Sequence, residues 1–461
     1  MDKVKNNTTN FHESILLNLK SKDIDSLKQI LNSANELDLL NILHNLSAEN
    51  QVIIYRLLSK DKALTVFEQL DTNSQQKLIR SFTEEAAIEI IEELEPNDRV
   101  RLLDELPAKV AKKMLEALSP SEREITNLLM GYETETAGRI MTPQYVQLKK
   151  DITVSEALEY VKKTAKDKET IYTLYITDIT GILEGVVTLR DLFIADPAEK
   201  VEKIMQKYNA KVSTDTDQEE VARLLKRLNL LAIPVVDKEN RMVGIITVDD
   251  AIDILEDEAT EDILNMGGLA DVGKEKDRSD VLINGSLWSI WKIRLPFLII
   301  TLAGGLLAGL VIDGFEETLQ AIAAVAIFIP LIMDMGGSVG TQSTTVFARG
   351  LALGQIEIKN FLKPFLKEIG VGLSIGSLIG FVSGLVAFIW QGEPMLGVAV
   401  GIALVATMTL AACLGFFVPY VLVKLNADQA AGSAPIITSI KDITGLIVYF
   451  LLVSALLGHL M

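Results

Sequence analysis

The chain has 461 residues and a formal net charge of −18, which allows two to four domains. Most of that charge lies before Pro296, where 38 basic and 53 acidic residues exclude nucleic acid and an anionic membrane surface as partners, since both require basic patches. The single Cys413 and three scattered histidines exclude a disulfide or zinc framework, and the polar N-terminus predicts no cleavable signal peptide.

The N-terminal part contains a helical repeat of 24 residues. A Leu followed by a polar residue recurs at this spacing, and a large apolar residue recurs half a period later. The first set is Leu46, Leu70, Leu94 and Leu118, and the second is Leu58, Phe82, Leu106 and Met130. Two short helices in each unit predict an α-superhelical domain over residues 1–136. Asp98, Asp104 and Glu105 are either metal ligands or part of a solvated helix face.

A second duplication covers residues 137–255, in halves 137–200 and 201–255. Each half predicts a helix, a strand, a turn and a second strand that ends at a helix. The second strands end in similar motifs, with Gly185 matching Gly244 and Thr188 matching Thr247. These Gly-x-x-Thr-x-x-Asp motifs make the region similar to a tandem pair of α/β CBS domains.

In that family the Thr and Asp of this motif often bind adenosine nucleotides. The resemblance therefore implies that Thr188, Arg190 and Asp191, or alternatively Thr247 and Asp250, bind a nucleotide such as ATP. The same spacing also serves a Thr that caps a helix with an Asp in its first turn, which requires no ligand. The sequence leaves both roles open.

A strongly acidic segment follows the second copy. From Asp249 to Asp262, eight of fourteen residues are acidic and none is basic. On a helix, four of these carboxylates share one stripe and repel one another. They are Asp250, Asp253, Asp257 and Glu261. A divalent cation that bridges the stripe to another acidic surface relieves this repulsion, so the segment is either an ion-controlled gate or an exposed acidic linker. We assign residues 256–285 to this connecting helix and its linker.

Residues 286–461 predict a transmembrane domain of five helices. The apolar stretches lie near 288–312, 319–346, 365–390, 396–423 and 434–461. Arg349, Lys359 and Lys363 follow the second stretch, whereas residues 314–318 and 391–394 contain no Lys or Arg. The positive-inside rule therefore predicts a multi-pass protein of the cell membrane with its N-terminus in the cytosol and its C-terminus outside.

Two carboxylates interrupt these apolar stretches. Asp442 follows Pro435, where a helix can bend and free carbonyl oxygens, and such an all-oxygen site suits a hard cation such as Mg2+ or Ca2+. Pairing of Asp442 with a lysine, or a place in the membrane interface, is the alternative. Asp334 lies in a stretch rich in glycine and hydroxyl groups that predicts a broken or tightly packed helix along a polar path. A twofold homodimer would bring two Asp442 side chains to one axis.

The order of these parts resembles the MgtE family of Mg2+ channels over nearly the whole chain. The motifs that carry the resemblance are Gly336-Gly-x-x-Gly-x-Gln-Ser with Arg349-Gly-Leu-Ala, and Pro435-x-x-Thr-x-x-x-Asp-x-Thr-Gly445. Some members have Asn where this chain has Ser338, Thr341 and Ala434, which affects the lining of the ion path.

The resemblance implies that Asp442 holds hydrated Mg2+ in a pore. The other metal ligands that it implies belong to a cytosolic gate closed by Mg2+: Asp428, Asp250, Asp253, Glu258, Glu261 and Asp98. The expected pore-lining residues are Pro435, Thr438, Asp334, Gly336, Gly337 and Gln342.

We therefore expect a homodimeric Mg2+ channel in the lipid bilayer, with Mg2+ as both substrate and gating ligand. The chain has no nucleophile–base pair and no metal-hydrolase spacing, so we do not expect an enzyme. A secondary transporter that couples divalent cations to another ion, and a membrane-bound nucleotide sensor that conducts nothing, are the alternatives.

Overall fold

The computed structural model describes residues 14–15, 18–19, 24–44, 46, 48–70, 72–82, 84–207, 210–270, 278–425 and 433–457. The chain divides into two compact units, a first unit that ends at Glu258 and a second unit made chiefly of the residues from Ala259 onward. Asp428 lies outside the described residues.

The first unit begins with short helices arranged in pairs. They are α1 (Ile24–Ser33), α2 (Glu36–His44), α3 (Ala48–Leu57), α4 (Lys60–Glu68), α5 (Thr72–Ser81), α6 (Glu84–Glu93), α7 (Pro96–Glu105), α8 (Ala108–Ala117) and α9 (Pro120–Met130). Helices α5 and α6 form one such pair within a single 24-residue unit. The apolar residues of the 24-residue repeat form one continuous core along this array, as expected for stacked repeats.

A side-chain cap recurs with the same period. The side-chain nitrogens of Gln51, Gln75, Arg99 and Arg123 each donate to the carbonyl oxygen eight residues earlier, in the last turn of the preceding helix. The distances are 2.7, 2.7, 2.7 and 3.1 Å. Because the last carbonyls of a helix lack partners within it, the first helix of each repeat caps the end of the helix that closes the preceding repeat.

The duplicated region forms two three-stranded sheets, each with its first two strands parallel and its last two antiparallel. The first copy contains α10 (Ala137–Ile140), β1 (Gln147–Leu148), α11 (Val154–Thr164), β2 (Thr173–Thr177), β3 (Leu183–Thr188) and α12 (Leu189–Ile194). The second contains α13 (Val201–Ile204), β4 (Val212–Ser213), α14 (Gln218–Leu228), β5 (Ala232–Val236) and β6 (Met242–Thr247). The two copies predicted from the sequence therefore have the same sheet topology.

The two copies exchange backbone pairs. Thr142, which precedes the strands of the first copy, pairs with Ile245 of β6, and Gln206, its counterpart, pairs with Val186 of β3. The amide–carbonyl distances lie between 2.8 and 3.0 Å. Each sheet is thus extended by the lead segment of the other copy.

This exchange explains the glycine of both motifs. A Cβ atom on Gly185 would lie 2.7 Å from the Gln206 carbonyl oxygen, and one on Gly244 would lie 2.9 Å from that of Thr142. Only glycine allows the lead segment to approach this closely.

The acidic segment forms one helix, α15 (Val248–Met266), which begins directly after β6. The expected boundary between the duplicated region and the connecting helix, at residues 255 and 256, lies inside this helix. A short helix, α16 (Arg278–Asn284), precedes the apolar part of the chain.

The second unit consists of helices. They are α17 (Leu287–Asp313), α18 (Glu316–Ala321), α19 (Ala324–Ile327), α20 (Ile329–Ala352), α21 (Leu362–Gln391), α22 (Pro394–Lys424) and α23 (Ser433–Leu457). Within the described residues, five segments are long and apolar enough to span a membrane, with α19 and α20 together forming the second. That span, Ala324–Ala352, ends later than the predicted 319–346.

Glycines allow the spanning helices to pack closely. A Cβ on Gly380 or Gly384 of α21 would lie 2.5–2.6 Å from carbonyl oxygens of α22, and one on Gly415 of α22 would lie 2.7 Å from the Gly340 carbonyl of α20. Helix α20 is continuous through Gly336 and Gly337. Of the two alternatives for this stretch, the tightly packed helix is therefore correct and the broken helix is wrong.

Candidate functional site

A groove with both polar and apolar lining lies in the second unit between α20 and α23. Its volume is about 970 Å³. Its walls combine carboxylates, an amide and hydroxyl groups with a few apolar side chains. The lining residues are Pro330, Met333, Asp334, Gly337, Ser338, Thr341, Gln342, Thr345, Val346, Thr438, Lys441 and Asp442.

Five of the expected pore-lining and metal-binding residues line this groove. They are Asp334, Gly337, Gln342, Thr438 and Asp442. Gly336 does not, because it faces Thr407 of α22, whose Cγ2 would lie 2.9 Å from a Cβ at that position. Pro435 lies in the first turn of α23. The residues just before Ser433 lie outside the described part of the chain, so the expectation that Pro435 frees carbonyls stays a prediction.

Asp442 lies on the packed side of α23. One and two turns later on this side, Leu446, Tyr449 and Phe450 are fully buried against the other helices, and the Tyr449 hydroxyl donates to the Val325 carbonyl at 3.0 Å. Asp442 lines the groove at this side of the helix, and its side chain is 18 % exposed.

Lys441 is the immediate partner of Asp442. Its Nζ lies 2.9 Å from Asp442 Oδ1 and donates to the Met333 carbonyl of α20 at 2.9 Å. The Nζ–Oδ1 contact is an ion pair by distance without the angles of a hydrogen bond, so Oδ1 is buried with its acceptor positions unused. Asp442 thus both pairs with a lysine and lines the groove, so the two roles that the sequence left as alternatives occur together.

A second collection of acidic side chains lies in the first unit, around Arg101 of α7. Arg101 Nη2 lies 3.0 Å from Asp98 Oδ1, and Nη1 lies 3.6 Å from Asp253 Oδ2 of α15. Asp250 accepts hydrogen bonds from Asn97 Nδ2 at 3.0 Å and from Thr247 Oγ1 at 2.9 Å. We define the carboxylate cluster as Glu68, Glu95, Asp98, Glu169, Asp249, Asp250 and Asp253.

Burial and mutual repulsion make the cluster electrostatically unfavourable. Burial, aided by the negative charge of Asp98, raises the pKa of Asp250 to about 7. Burial likewise raises the pKa of Glu68 to about 7, with Glu95 and Asp98 adding repulsion. Glu169 shares a hydrogen bond with the Glu95 carboxyl, and burial raises the pKa of both groups. The single positive charge of Arg101 does not balance the negative charge of these carboxylates.

Other expected ligands have protein partners. Glu258 accepts from Gln218 Nε2 at 2.9 Å, and Glu261 lies 3.4 Å from Arg278 Nη2. Asp104 forms a two-point ion pair with Arg139 at 2.5 and 3.0 Å, which gives it a structural role. Among the residues that the structure describes, no three acidic, His or Cys side chains already converge on one metal position.

The expected nucleotide residues surround the start of α12. The Thr188 hydroxyl and the Asp191 carboxylate form a reciprocal capping box, with Thr188 Oγ1 donating to Asp191 Oδ2 at 2.6 Å. The helix-capping role is thus present. Arg190 is exposed beside them.

Sequence reasoning missed three members of the carboxylate cluster and the arginine at its centre. Glu68, Glu95 and Glu169 lie in separate repeats or domains, and Arg101 is one of many charged residues on short helices. The only available signal was the position of Asp98, which had been singled out on α7. The distances that unite these residues come from tertiary packing.

Three family models match successive parts of the chain. "MgtE intracellular N domain" matches residues 34–135, and "CBS domain" matches residues 137–197 and 201–257. The model of MgtE, described as a divalent cation transporter, matches residues 329–452. The predicted fold class, with a helical N-domain, two α/β CBS domains and five membrane helices, is thereby confirmed.

Curated relatives cover most of the chain. The magnesium transporter MgtE of Thermus thermophilus is 40 % identical over 323 residues, which is 70 % of either chain. That of Bacillus subtilis is 37 % identical over 341 residues, covering 74 % of this chain and 73 % of the relative. These relatives are transporters, which agrees with the expectation that the chain is not an enzyme.

Solved structures match the cytosolic portion. A crystal structure of the cytosolic domain of the Mg2+ channel MgtE in complex with ATP is 36 % identical, with a TM-score of 0.51. The match covers 53 % of this chain and 99 % of that one. A structure of the soluble part of a magnesium transporter is 28 % identical, with a TM-score of 0.50, and covers 55 % of this chain and 99 % of that one.

Proposed function

Because the chain belongs to the MgtE family of divalent cation transporters, we propose that it carries Mg2+ across the membrane as a homodimeric channel. The chain is a multi-pass membrane protein with an intracellular N domain. The single observation that carries the proposal is the Asp442 carboxylate, which belongs to the span Ile437–Leu457 and lines the groove between α20 and α23. A carboxylate within a span costs roughly 2.5–3.5 kcal/mol and is typically functional.

A dimer supplies the second Asp442 carboxylate that a single groove lacks. Asp442 is the only carboxylate that α23 contributes to this groove, and Asp334 on the opposite wall is exposed. A twofold axis beside the groove brings two copies of Asp442 and the neighbouring hydroxyls together around one ion. Mg2+ gives up its water reluctantly, so these groups bind it through its hydration shell. Transport is then passive and driven by the membrane potential.

The carboxylate cluster is the proposed gate. Its acidic side chains repel one another, and Mg2+ that binds among Asp98, Asp250 and Asp253 removes this repulsion. Binding to one conformation shifts the equilibrium toward it, so high cytosolic Mg2+ closes the channel. Glu258, Glu261 and Asp428 are further gate ligands by the family resemblance.

ATP is the proposed nucleotide of the CBS pair. The related cytosolic domain crystallised with ATP supports this ligand. Arg190, whose side chain is exposed, provides positive charge for phosphate, and Asp191 provides an acceptor for ribose hydroxyls once its capping bonds rearrange. The N-terminus lies in the cytosol and the C-terminus outside, as five crossings require.

The test is Mg2+ influx into liposomes that contain the purified full chain. A potassium diffusion potential drives the flux, and a trapped indicator reports it. Asp442→Ala is expected to lower influx by about a hundredfold, because it removes the groove charge that attracts a divalent ion. Asp313→Ala removes an exposed carboxylate at the end of α17 and serves as the matched control. Normal influx in Asp442→Ala rejects the assignment of the pore.

The same assay separates the alternatives. A carrier coupled to protons or sodium would follow the gradient of that ion when the membrane potential is clamped at zero. A nucleotide sensor that conducts nothing would leave the liposomes free of Mg2+. Influx that follows the potential alone supports the channel.

A further inference from the structure

Lys441 is a buried cation in a membrane-spanning helix. Its side chain is 4 % exposed, yet it belongs to the span Ile437–Leu457. A lysine within a span is costly and requires partners. The partners here are the Met333 carbonyl on α20 and the Asp442 carboxylate beside it on α23. The ammonium therefore bridges the two walls of the groove.

Gly337 provides the space for this ammonium. A Cβ on Gly337 would lie 2.5 Å from Lys441 Nζ, and a Cβ on Gly336 would lie 3.5 Å from Lys441 Cδ. The helix is continuous at both glycines, with negative φ, so neither is required by backbone conformation. The role of Gly337 is steric: it forms a notch in α20 that the end of Lys441 occupies.

The ammonium limits what Asp442 offers to an ion. Asp442 Oδ1 is buried and faces Nζ, which leaves Oδ2 as the oxygen available to the groove. The positive charge 2.9 Å away also offsets the carboxylate charge. An arriving cation therefore meets one oxygen of a partly neutralised carboxylate.

This arrangement discriminates between cations by their hydration. Ca2+ exchanges its water for six to eight oxygen ligands and often binds both oxygens of a carboxylate, whereas Mg2+ retains several waters and accepts contact through them. We propose that Lys441, seated in the Gly337 notch, is a specificity-determining residue that disfavours Ca2+ by occupying one side of Asp442. The proposal rests on the proposed function, because it presumes that ions pass Asp442.

The experiment compares Ca2+ and Mg2+ influx into liposomes that contain the full chain. Lys441→Met removes the charge, and Lys441→Gln removes the charge but retains a donor for the Met333 carbonyl. Both are expected to raise the ratio of Ca2+ to Mg2+ influx about tenfold. Gly337→Ala keeps the lysine but displaces its flexible end from the notch, and is expected to raise the ratio in the same direction.

Gly309→Ala is the matched control, because a Cβ at Gly309 of α17 contacts nothing within 4 Å. An unchanged ratio in the lysine variants and in Gly337→Ala overturns the proposal. A wild-type ratio in Lys441→Gln alone also overturns it, since the lysine would then act only by tying the helices together. If Lys441→Met does not fold, Lys441→Gln and Gly337→Ala decide. Failure of the proposed function is seen separately, as normal Mg2+ influx in Asp442→Ala.

Discussion

The groove and the carboxylate cluster both collect acidic side chains, but they balance charge in opposite ways. In the groove, Asp442 has an adjacent ammonium, and the remaining lining is mainly hydroxyl, amide and apolar. In the carboxylate cluster, Arg101 forms ion pairs with only two of the seven carboxylates, Asp98 and Asp253, and burial raises the pKa of several members. With two carboxylates, Asp334 and Asp442, and one ammonium, the groove lacks one positive charge before an ion arrives, whereas the carboxylate cluster lacks several.

This difference matches the two proposed roles. An ion that must leave quickly requires a site of modest attraction, because tight binding slows conduction. A site that reports ion concentration requires a large change in free energy on binding, and unrelieved repulsion supplies it. The balance of charge, rather than the number of carboxylates, distinguishes a transit site from a regulatory site in this chain.

The largest effect is expected from neutralising the carboxylate cluster, which removes the difference in charge balance between the two sites. In Asp98→Asn/Asp250→Asn/Asp253→Asn the repulsion that Mg2+ relieves is reduced, so the cytosolic Mg2+ concentration that halves the current is expected to rise by about tenfold or more. Patch recordings with varied Mg2+ on the cytosolic face measure it. Glu159→Gln/Asp196→Asn/Glu239→Gln removes three exposed carboxylates of the CBS pair as a control. Unchanged inhibition would show that the gate lies elsewhere.

A smaller effect is expected from the second acid of the groove. Asp334 is exposed and has no ion pair among the described residues, so its charge is screened more than that of Asp442. Asp334→Asn is expected to raise the Mg2+ concentration for half-maximal influx by about threefold. Concentration series in the liposome assay measure this shift. A loss as complete as that in Asp442→Ala would contradict the distinction between the two acids.

The smallest expected effect is a pH dependence of the first unit. Because burial raises the pKa of Glu169 above its ordinary 4.5, its contribution to stability is complete below pH 4.5 and is lost as the pH rises through the raised pKa. Glu169→Gln stays neutral and is expected to abolish this loss. Hydrogen exchange of α6 and α7 in the full chain, between pH 5 and pH 8, measures it. Equal pH dependence in both proteins would contradict the assigned cause.

The sequence was informative wherever a pattern repeats along the chain. The 24-residue period predicted the helix pairs, the matched Gly-x-x-Thr-x-x-Asp motifs predicted the duplicated α/β region, and apolar length predicted the five spans. These features follow from local periodicity, which a single chain displays directly. The same holds for Asp442, because a carboxylate stands out in an apolar stretch.

Features that depend on contacts between distant residues were not accessible. Helix ends are also poorly fixed by sequence, as at Pro435 in the first turn of α23. The partners of Asp104 and Glu169 lie 35 and 74 residues away in the chain, at Arg139 and Glu95. The place of Lys441 could not be predicted either, because the notch that receives it lies on another helix.

The periodic cap of the N-terminal helices has a consequence for how that array can change in length. Gln51, Gln75, Arg99 and Arg123 each reach back by the same eight residues, so the bond pattern is unaltered when a whole 24-residue module is gained or lost. An insertion of any other size between a cap and its carbonyl leaves that helix end open. The array can therefore gain or lose whole 24-residue repeats without losing a cap. Insertions of other lengths are tolerated only outside the eight residues that separate each capping side chain from its carbonyl.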